Sequence, residues 1–394
     1  MPEKANFVRI ISSILIFLAV FGVTLFAFSQ RAREEVGGDP SWALVMTADA
    51  KVPPAVRRKV AGLLAEQPLN QAALNLLFAT EARGRMEPGR RAAFVDTLGA
   101  LGWRDTATQQ NLIVEAARRK DPQAALLHID ALLRRGKMTD QIMPLLAQME
   151  TYPDALDLLA VQLGKKPNWR MDYFGFTAPL QNPVILDGRV QLLNRMLSKG
   201  QPISHSELMP SLKMIMLAGR RADAARIGMS ANHMKQDNIG LYDPDFSRYL
   251  ALSSEDRNSP LPFEWETVSR PGISAQIVPR SGGGMLQLRW NGLGAPVLAR
   301  TMALTKVGDD MRLEVAVDRA DALAQLEMLG FALNCPGKVA AFTEMRRDKM
   351  RKLAIYTVES GIPCDYPDLI VQGRPQTRDL ATETDIASIR LVRQ

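Results

Sequence analysis

Hydrophobic positions change rhythm twice along the chain. Residues 10–28 carry no charged side chain, and their polar residues are Ser12, Ser13 and Thr24. As a helix, nineteen such residues span roughly 28 Å, close to the hydrocarbon thickness of a bilayer. From 42 to 249 apolar residues recur with helical spacing: Leu74, Leu77, Phe78 and Ala82, then Phe94, Leu98 and Leu101, then Leu112, Ile113, Ala116 and Ala117, then Ala125, Ile129 and Leu132. Breakers punctuate the stripes: Pro53-Pro54, Pro68, Pro88-Gly89, Gly102, Pro122, Gly136, Pro153 and Gly164. Beyond about 263 the period becomes two. Leu286, Leu288 and Trp290 alternate with polar neighbours, as do Leu313, Val315 and Val317; Ile273/Ala275/Ile277, Leu353/Ile355/Thr357 and Ala387/Ile389/Leu391 follow suit.

These rhythms predict an α-then-β multidomain protein. A tail (1–9) precedes a transmembrane signal-anchor (10–29) and a linker (30–40). An array of short helices fills 41–252, a polar linker 253–262, and an antiparallel β-sandwich of roughly eight short strands 263–394. Short helices joined by short turns cannot each bury their own apolar face, so neighbours must stack into a solenoid. Lys4, Arg9 and the amino terminus before the apolar run, set against Arg31 and Arg33 after it, barely bias the topology. The short charged tail favours an N-terminus inside. Cleavage before Gln30, after Ala27-Phe28-Ser29, is the rival to an uncleaved anchor, although the run is longer than an ordinary signal core.

Composition narrows the class. With 46% hydrophobic residues in 394, the chain can bury sizeable cores. The net charge of +7 is spread as pairs such as Arg57-Arg58, Arg118-Arg119 and Arg346-Arg347, not as a dense basic block interleaved with aromatics. Nucleic acid is therefore not the expected partner. The basic balance suits acidic partners such as anionic polysaccharide or lipid headgroups.

Two segments carry likenesses to known families. Pro68-Leu69-Asn70-Gln71-Ala72-Ala73-Leu74, with Gly84-Arg85 and Ala92-Ala93-Phe94, resembles a tetratricopeptide repeat, and residues 111–133 look like a poorer copy with Asp121-Pro122 at the turn. Pro262-Phe263-Glu264-Trp265, Pro296-Val297-Leu298-Ala299-Arg300, Asn334-Cys335 and Pro363-Cys364 are similar to the jelly-roll, galactose-binding-like module that follows helical repeats in some proteobacterial envelope proteins. That resemblance implies a non-enzymatic scaffold or binding protein at the inner membrane, with periplasmic C-terminal domains, linked to exopolysaccharide or lipopolysaccharide production. A protein partner on the helical array and a glycan or protein on the sandwich are expected. The two cysteines, Cys335 and Cys364, both fall in the second module, beside prolines. Outside the cytoplasm they would form a disulfide; a reduced buried pair is the alternative.

The sequence carries no catalytic signature and implies no cofactor. His128, His205 and His233 lie far apart, and HExxH, CxxC, Walker and G-x-S-x-G patterns are absent from the sequence. Glu264 and Glu266 flank Trp265 as a formal carboxylate pair, but exposed strand acids are commoner than catalytic ones. The candidate ligand-contacting aromatics are Trp169 and Tyr173, in the cluster running to Phe176, and Tyr356 and Tyr366 in the sandwich. Core packing competes with ligand stacking for each, and for Trp265 and Trp290, which fall in step with apolar neighbours.

Overall fold

The computed structural model describes residues 54–81, 86–234, 240–308, 311–335, 337–358, 364–375 and 382–393. The tail, the proposed anchor and the first linker lie outside the described residues, as do Gly84-Arg85 and Pro363. Among the described residues no helix is long and apolar enough to cross a membrane. The chain forms two compact units that divide between Tyr173 and Phe174.

The first unit is helical: α1 (Pro54–Glu66), α2 (Gln71–Glu81), α3 (Pro88–Leu101), α4 (Thr106–Arg118), α5 (Pro122–Leu133), α6 (Thr139–Met149), α7 (Pro153–Gly164) and the start of α8 (Arg170–Gly175). Several prolines that punctuate the sequence prove to be helix starts. Pro54, Pro88, Pro122 and Pro153 each occupy the first position, where a missing N–H costs nothing. The preceding residue often caps: Glu87 accepts from the amides of Gly89 and Arg90, and Asp121 from that of Ala124. Leu74, Phe78 and Leu98 bury as their stripes predict, whereas Leu101 remains 38% exposed at the end of its helix.

One carboxylate is buried here among cationic partners. Glu115 takes Arg91, Arg118 and Arg119 on one nearly inaccessible carboxylate. Burial would raise its pKa, but the Arg118 and Arg119 bonds and the Arg91 charge outweigh that and hold it below the usual carboxylate range.

The second unit opens with α9 (Pro183–Ser198), α10 (His205–Leu217) and α11 (Arg221–Ala231), followed by α12 (Ser247–Ala251) and α13 (Ser254–Asn258). These helices share a unit with the sheet, so the change from helix to strand and the boundary between units fall at different places. The polar stretch read as a linker contains α13, because the Ser253 side chain accepts from the amide of Asp256 and nucleates a turn.

In the sheet, every strand pairing among the described residues is antiparallel. Its strands are β1 (Glu266–Thr267), β2 (Ser269–Arg270), β3 (Ile273–Arg280), β4 (Gly283–Trp290), β5 (Val297–Met302), β6 (Lys306–Val307), β7 (Met311–Val317), β8 (Leu329–Cys335), β9 (Lys338–Asp348), β10 (Leu353–Val358), β11 (Cys364–Asp365), β12 (Asp368–Gly373) and β13 (Thr382–Arg393), with a helical turn α14 (Ala322–Gln325) after β7. The order is β1-β5-β12-β8-β9-β10-β7-β13-β4-β3-β2, while β6 and β11 pair separately. Because β1 and β2 are consecutive in the chain, the order nearly closes on itself. Val268 makes the seam: its amide donates to Leu298 of β5 at 2.9 Å and its carbonyl accepts from Ala275 of β3 at 3.1 Å. At the opposite corner β9 pairs with β8 through its first residues and with β10 through the rest. The result is a flattened barrel, or sandwich, around a core that includes Trp265, Trp290, Leu313, Phe331, Val371 and Ile389.

One local device recurs in both units. Helices α4, α5, α9, α10 and α11 end with a left-handed residue just past the cap, and its successor's amide bonds back five residues: Asp121 to Ala116, Lys137 to Leu132, Gln201 to Met196, Arg220 to Ile215 and Met234 to Met229. Three of these left-handed positions are glycine (Gly136, Gly200, Gly219), but Lys120 and His233 adopt φ of 58° and 53°. A Cβ in that region costs roughly 1–2 kcal/mol. Replacing Lys120 with Gly should therefore raise stability by about 1 kcal/mol, and Gly219→Ala should lower it by a similar amount, both read by urea denaturation.

Candidate functional site

The four nominated aromatics meet different fates. Trp169 is 2% exposed, its indole N–H donating to Asp130 at 2.8 Å, and its ring meets Tyr173 edge-on at 6.3 Å. Tyr173 is fully buried and its hydroxyl donates to Glu150. Tyr356 lies inside the sandwich against Phe331 at 5.1 Å, and burial pushes its phenol far above the usual range. These three rings are enclosed by protein. Tyr366 is the one that keeps accessible surface.

Tyr366 sits in the short turn between β11 and β12. Its φ of 54° is left-handed, a strained setting for an aromatic residue, and neighbouring groups fix it. The Tyr366 amide donates to Thr305 at 3.2 Å, and the next carbonyl, of Pro367, accepts from Ala303 at 2.8 Å. Arg221, the first residue of α11, donates through Nε to the Tyr366 carbonyl at 2.6 Å and through Nη2 to Asp368. The strand before the turn pairs Cys364 with Val307 and Asp365 with Lys306, whose side chains form an ion pair at 2.8 Å.

Cys335, buried at the end of β8, is disulfide-bonded. The chain's other cysteine, Cys364, stands two residues before Tyr366. Its backbone is on β11, and its side chain lies outside the described residues.

Tyr366 and α11 together line a cavity of about 300 Å³, with Ala222, Arg226, Met229, Ser230 and Met234. That volume is at the low end for a small-ligand site. The lining offers a ring and two thioethers for apolar contact, a hydroxyl for hydrogen bonding, and one guanidinium. Arg226 is 58% exposed and paired with Asp223 at 2.9 Å, so the charge stands at the rim. Such a lining can hold a ring with one apolar face and polar edges.

The remaining polar candidates separate. Glu264 is buried and Glu266 is half-buried on β1 in an ion pair with Arg300 at 2.6 Å, so the two carboxylates serve different partners. Trp265 and Trp290 are core residues, their indoles bonded to the carbonyls of Asp243 and Leu293. His128 faces Gln109 at 2.9 Å, and burial lowers its pKa. His205 has carboxylates on both ring nitrogens: Glu264 at 2.9 Å from Nε2 and Asp256 at 3.1 Å from Nδ1. Separations of 59 and 51 residues leave no local signature of this group. The cavity-lining residues of α11 carry no motif either: nothing in the sequence around Arg226 and Met229 sets them apart from other helical positions. Among the described residues no group of three or more His, Cys, Asp or Glu side chains is arranged to hold a metal ion.

No protein-family model matches the chain, and neither a curated protein nor a solved structure is detectably similar to it.

Arg221 anchors the Tyr366 turn from α11, and hydrogen bonds to charged groups are worth about 1.5–3 kcal/mol each. Arg221→Ala should lower stability by about that amount and speed amide exchange at 365–368, whereas Arg226→Ala at the rim should leave both nearly unchanged. Urea denaturation and hydrogen-exchange mass spectrometry of the two variants check this.

Proposed function

We propose that this chain is a non-enzymatic scaffold or binding protein of the bacterial cell envelope. In this reading residues 10–29 hold it in the inner membrane and both described units stand in the periplasm. The observation that carries the reading is the disulfide at Cys335. Disulfides persist in oxidising compartments, and an apolar run of membrane length at the N-terminus supplies the route there. The tetratricopeptide-like stripes of the first unit support a protein partner, and that unit exposes Trp103, Leu127 and Val161. The jelly-roll likeness of the sandwich, with the half-buried Tyr366 ring beside the Ser230 hydroxyl and the Arg226 charge, supports contact with a glycan. Surface polysaccharide production or export is the process these two contacts would serve.

Binding without turnover is the expected behaviour. The detergent-solubilised full chain should retain envelope polysaccharide on a column, and Tyr366→Ala should weaken retention by about tenfold, the factor that ~1.4 kcal/mol of lost contact carries. Released reducing ends would replace this reading with a glycan-processing enzyme or its accessory subunit. Failure to bind any glycan while an envelope protein co-purifies would favour a purely structural tether. Thiol labelling in intact cells tests the compartment: Cys335 and Cys364 should react only after reduction.

A further inference from the structure

Both nitrogens of His205 face carboxylate oxygens, which can only accept. A neutral imidazole has one N–H, so it leaves one of these contacts without a proton. The Nε2–Glu264 hydrogen bond and the Nδ1–Asp256 ion pair are both favourable together only in the imidazolium. The ring is the first residue of α10, its side chain 14% exposed, and Glu264 is 5% exposed. Each carboxylate belongs to the segment that enters the sandwich: Asp256 on α13, and Glu264 two residues before β1. Glu264 also accepts from the Leu261 amide at 2.7 Å, which closes the turn 261–264 around the same oxygen.

We propose that His205 is a proton-dependent clamp, in which the imidazolium ties the start of α10 to the 256–264 strap and loss of the proton loosens the strap. The consequence reaches the cavity at Tyr366. Phe263, on the strap, is fully buried and fills the space beside Gly228 of α11, where any Cβ would overlap its ring. The Phe263 carbonyl accepts from the Thr301 hydroxyl at 2.8 Å, and Pro262 accepts from the Met302 amide at 2.9 Å. The strap therefore seats α11, which lines the cavity, against β5. Loosening it frees that helix face without breaking the core of the sheet.

The surrounding charges are committed elsewhere. On α10, Glu207 accepts from the Ser204 amide as the helix cap. From α9, Arg189 donates to Ser211, and Asp187 holds Arg220 together with Asp223 of α11. Arg221 reaches Asp368 and Arg226 reaches Asp223. On the side of the strap, Arg257 lies over Tyr249, Asp243 accepts from the amides of Arg248 and Tyr249, and the Tyr242 hydroxyl donates to Asn232. Burial of the ring disfavours its charge, but the Glu264 bond and the charges of Glu264 and Asp256 outweigh burial, so the folded-state pKa lies above 6.5. A raised histidine pKa stabilises the fold fully below the unfolded value, and that contribution disappears as pH rises through the folded value.

The full chain contains three histidines, so imidazole nitrogen resonances can be assigned with His128→Gln and His205→Gln variants. Below about pH 6 both His205 nitrogens should be protonated, with a midpoint above 6.5. Hydrogen-exchange protection at 261–265 and 221–231, corrected for intrinsic rates, should fall by about tenfold between about pH 6 and about pH 9, the scale of one lost charge-assisted hydrogen bond. In His205→Gln that pH dependence should vanish. Should that variant fail to fold, Glu264→Gln serves: it should bring the His205 midpoint down while His128 is unmoved. A His205 midpoint at or below 6.5, or an equal loss of protection in His205→Gln, overturns the proposal. Neither readout involves a glycan, so the clamp can fail while the binding reading stands, and the reverse.

Discussion

A five-residue segment, 266–270, has to satisfy two sheet edges at once. Open edges leave rows of unpaired amides and carbonyls, and a sheet this long is stable when it closes or is covered. Here β1 pairs with β5, β2 pairs with β3, and Val268 bonds in both directions between them. The core of the sandwich depends on that seam, because Trp265 at its entrance and Ala275 and Leu298 beside it all point inward. Where the chain enters the seam is set by what comes just before it, which gives the strap 256–264 an importance its composition does not suggest.

The strap is held by three kinds of contact with different dependences. Phe263, with Trp265 just beyond the strap, contributes apolar burial, which is insensitive to pH. Thr301 and Met302 anchor its backbone from β5. His205 adds a charged contact between groups that neither water nor salt reaches freely. Only the last can be switched within the ordinary pH range. The fold thus places one titratable tie between the helix that precedes the cavity-lining one and the strap that leads into the strand closing the sheet.

Much of the architecture was legible because period is a local property. Alternation at Leu286/Leu288/Trp290 and Leu313/Val315/Val317 marks β4 and β7, and Ser281-Gly282-Gly283-Gly284 marks the hairpin between β3 and β4. Strand β8 was harder, since Leu329–Cys335 is buried on nearly every residue and shows no alternation. Pro88, Pro122 and Pro153 read as breaks yet begin helices, because proline ends one helix and starts another with the same geometry. The grouping of α9–α13 with the sheet depends on packing between distant segments, which no window of sequence reveals. For the same reason the aromatic signal pointed to four rings and only Tyr366 remained accessible. Trp169 and Tyr173 each found an acid for their polar atom, half-buried Asp130 and buried Glu150, which lets a ring with a polar tip behave as core.

The Tyr366 turn and the facing helix share the Arg221 tie but otherwise rest on different supports, and this bears on what the cavity can do. On one side the turn carries a left-handed tyrosine, which persists only where its surroundings over-determine it. Arg221, Thr305 and the β6–β11 pairing supply that constraint, and a disulfide at Cys335 fixes the neighbouring sheet. On the other side α11 rests on Phe263, seated by the strap that His205 clamps. A wall built on strained backbone keeps its ring in one orientation, while a wall seated on a titratable contact can yield. Preorganisation on one side reduces the ordering cost of binding, and compliance on the other sets when the site is open to it. Under the proposed reading as an extracytoplasmic binding protein, that division is useful, because the covalent and backbone restraints hold through changes of pH that the imidazolium registers.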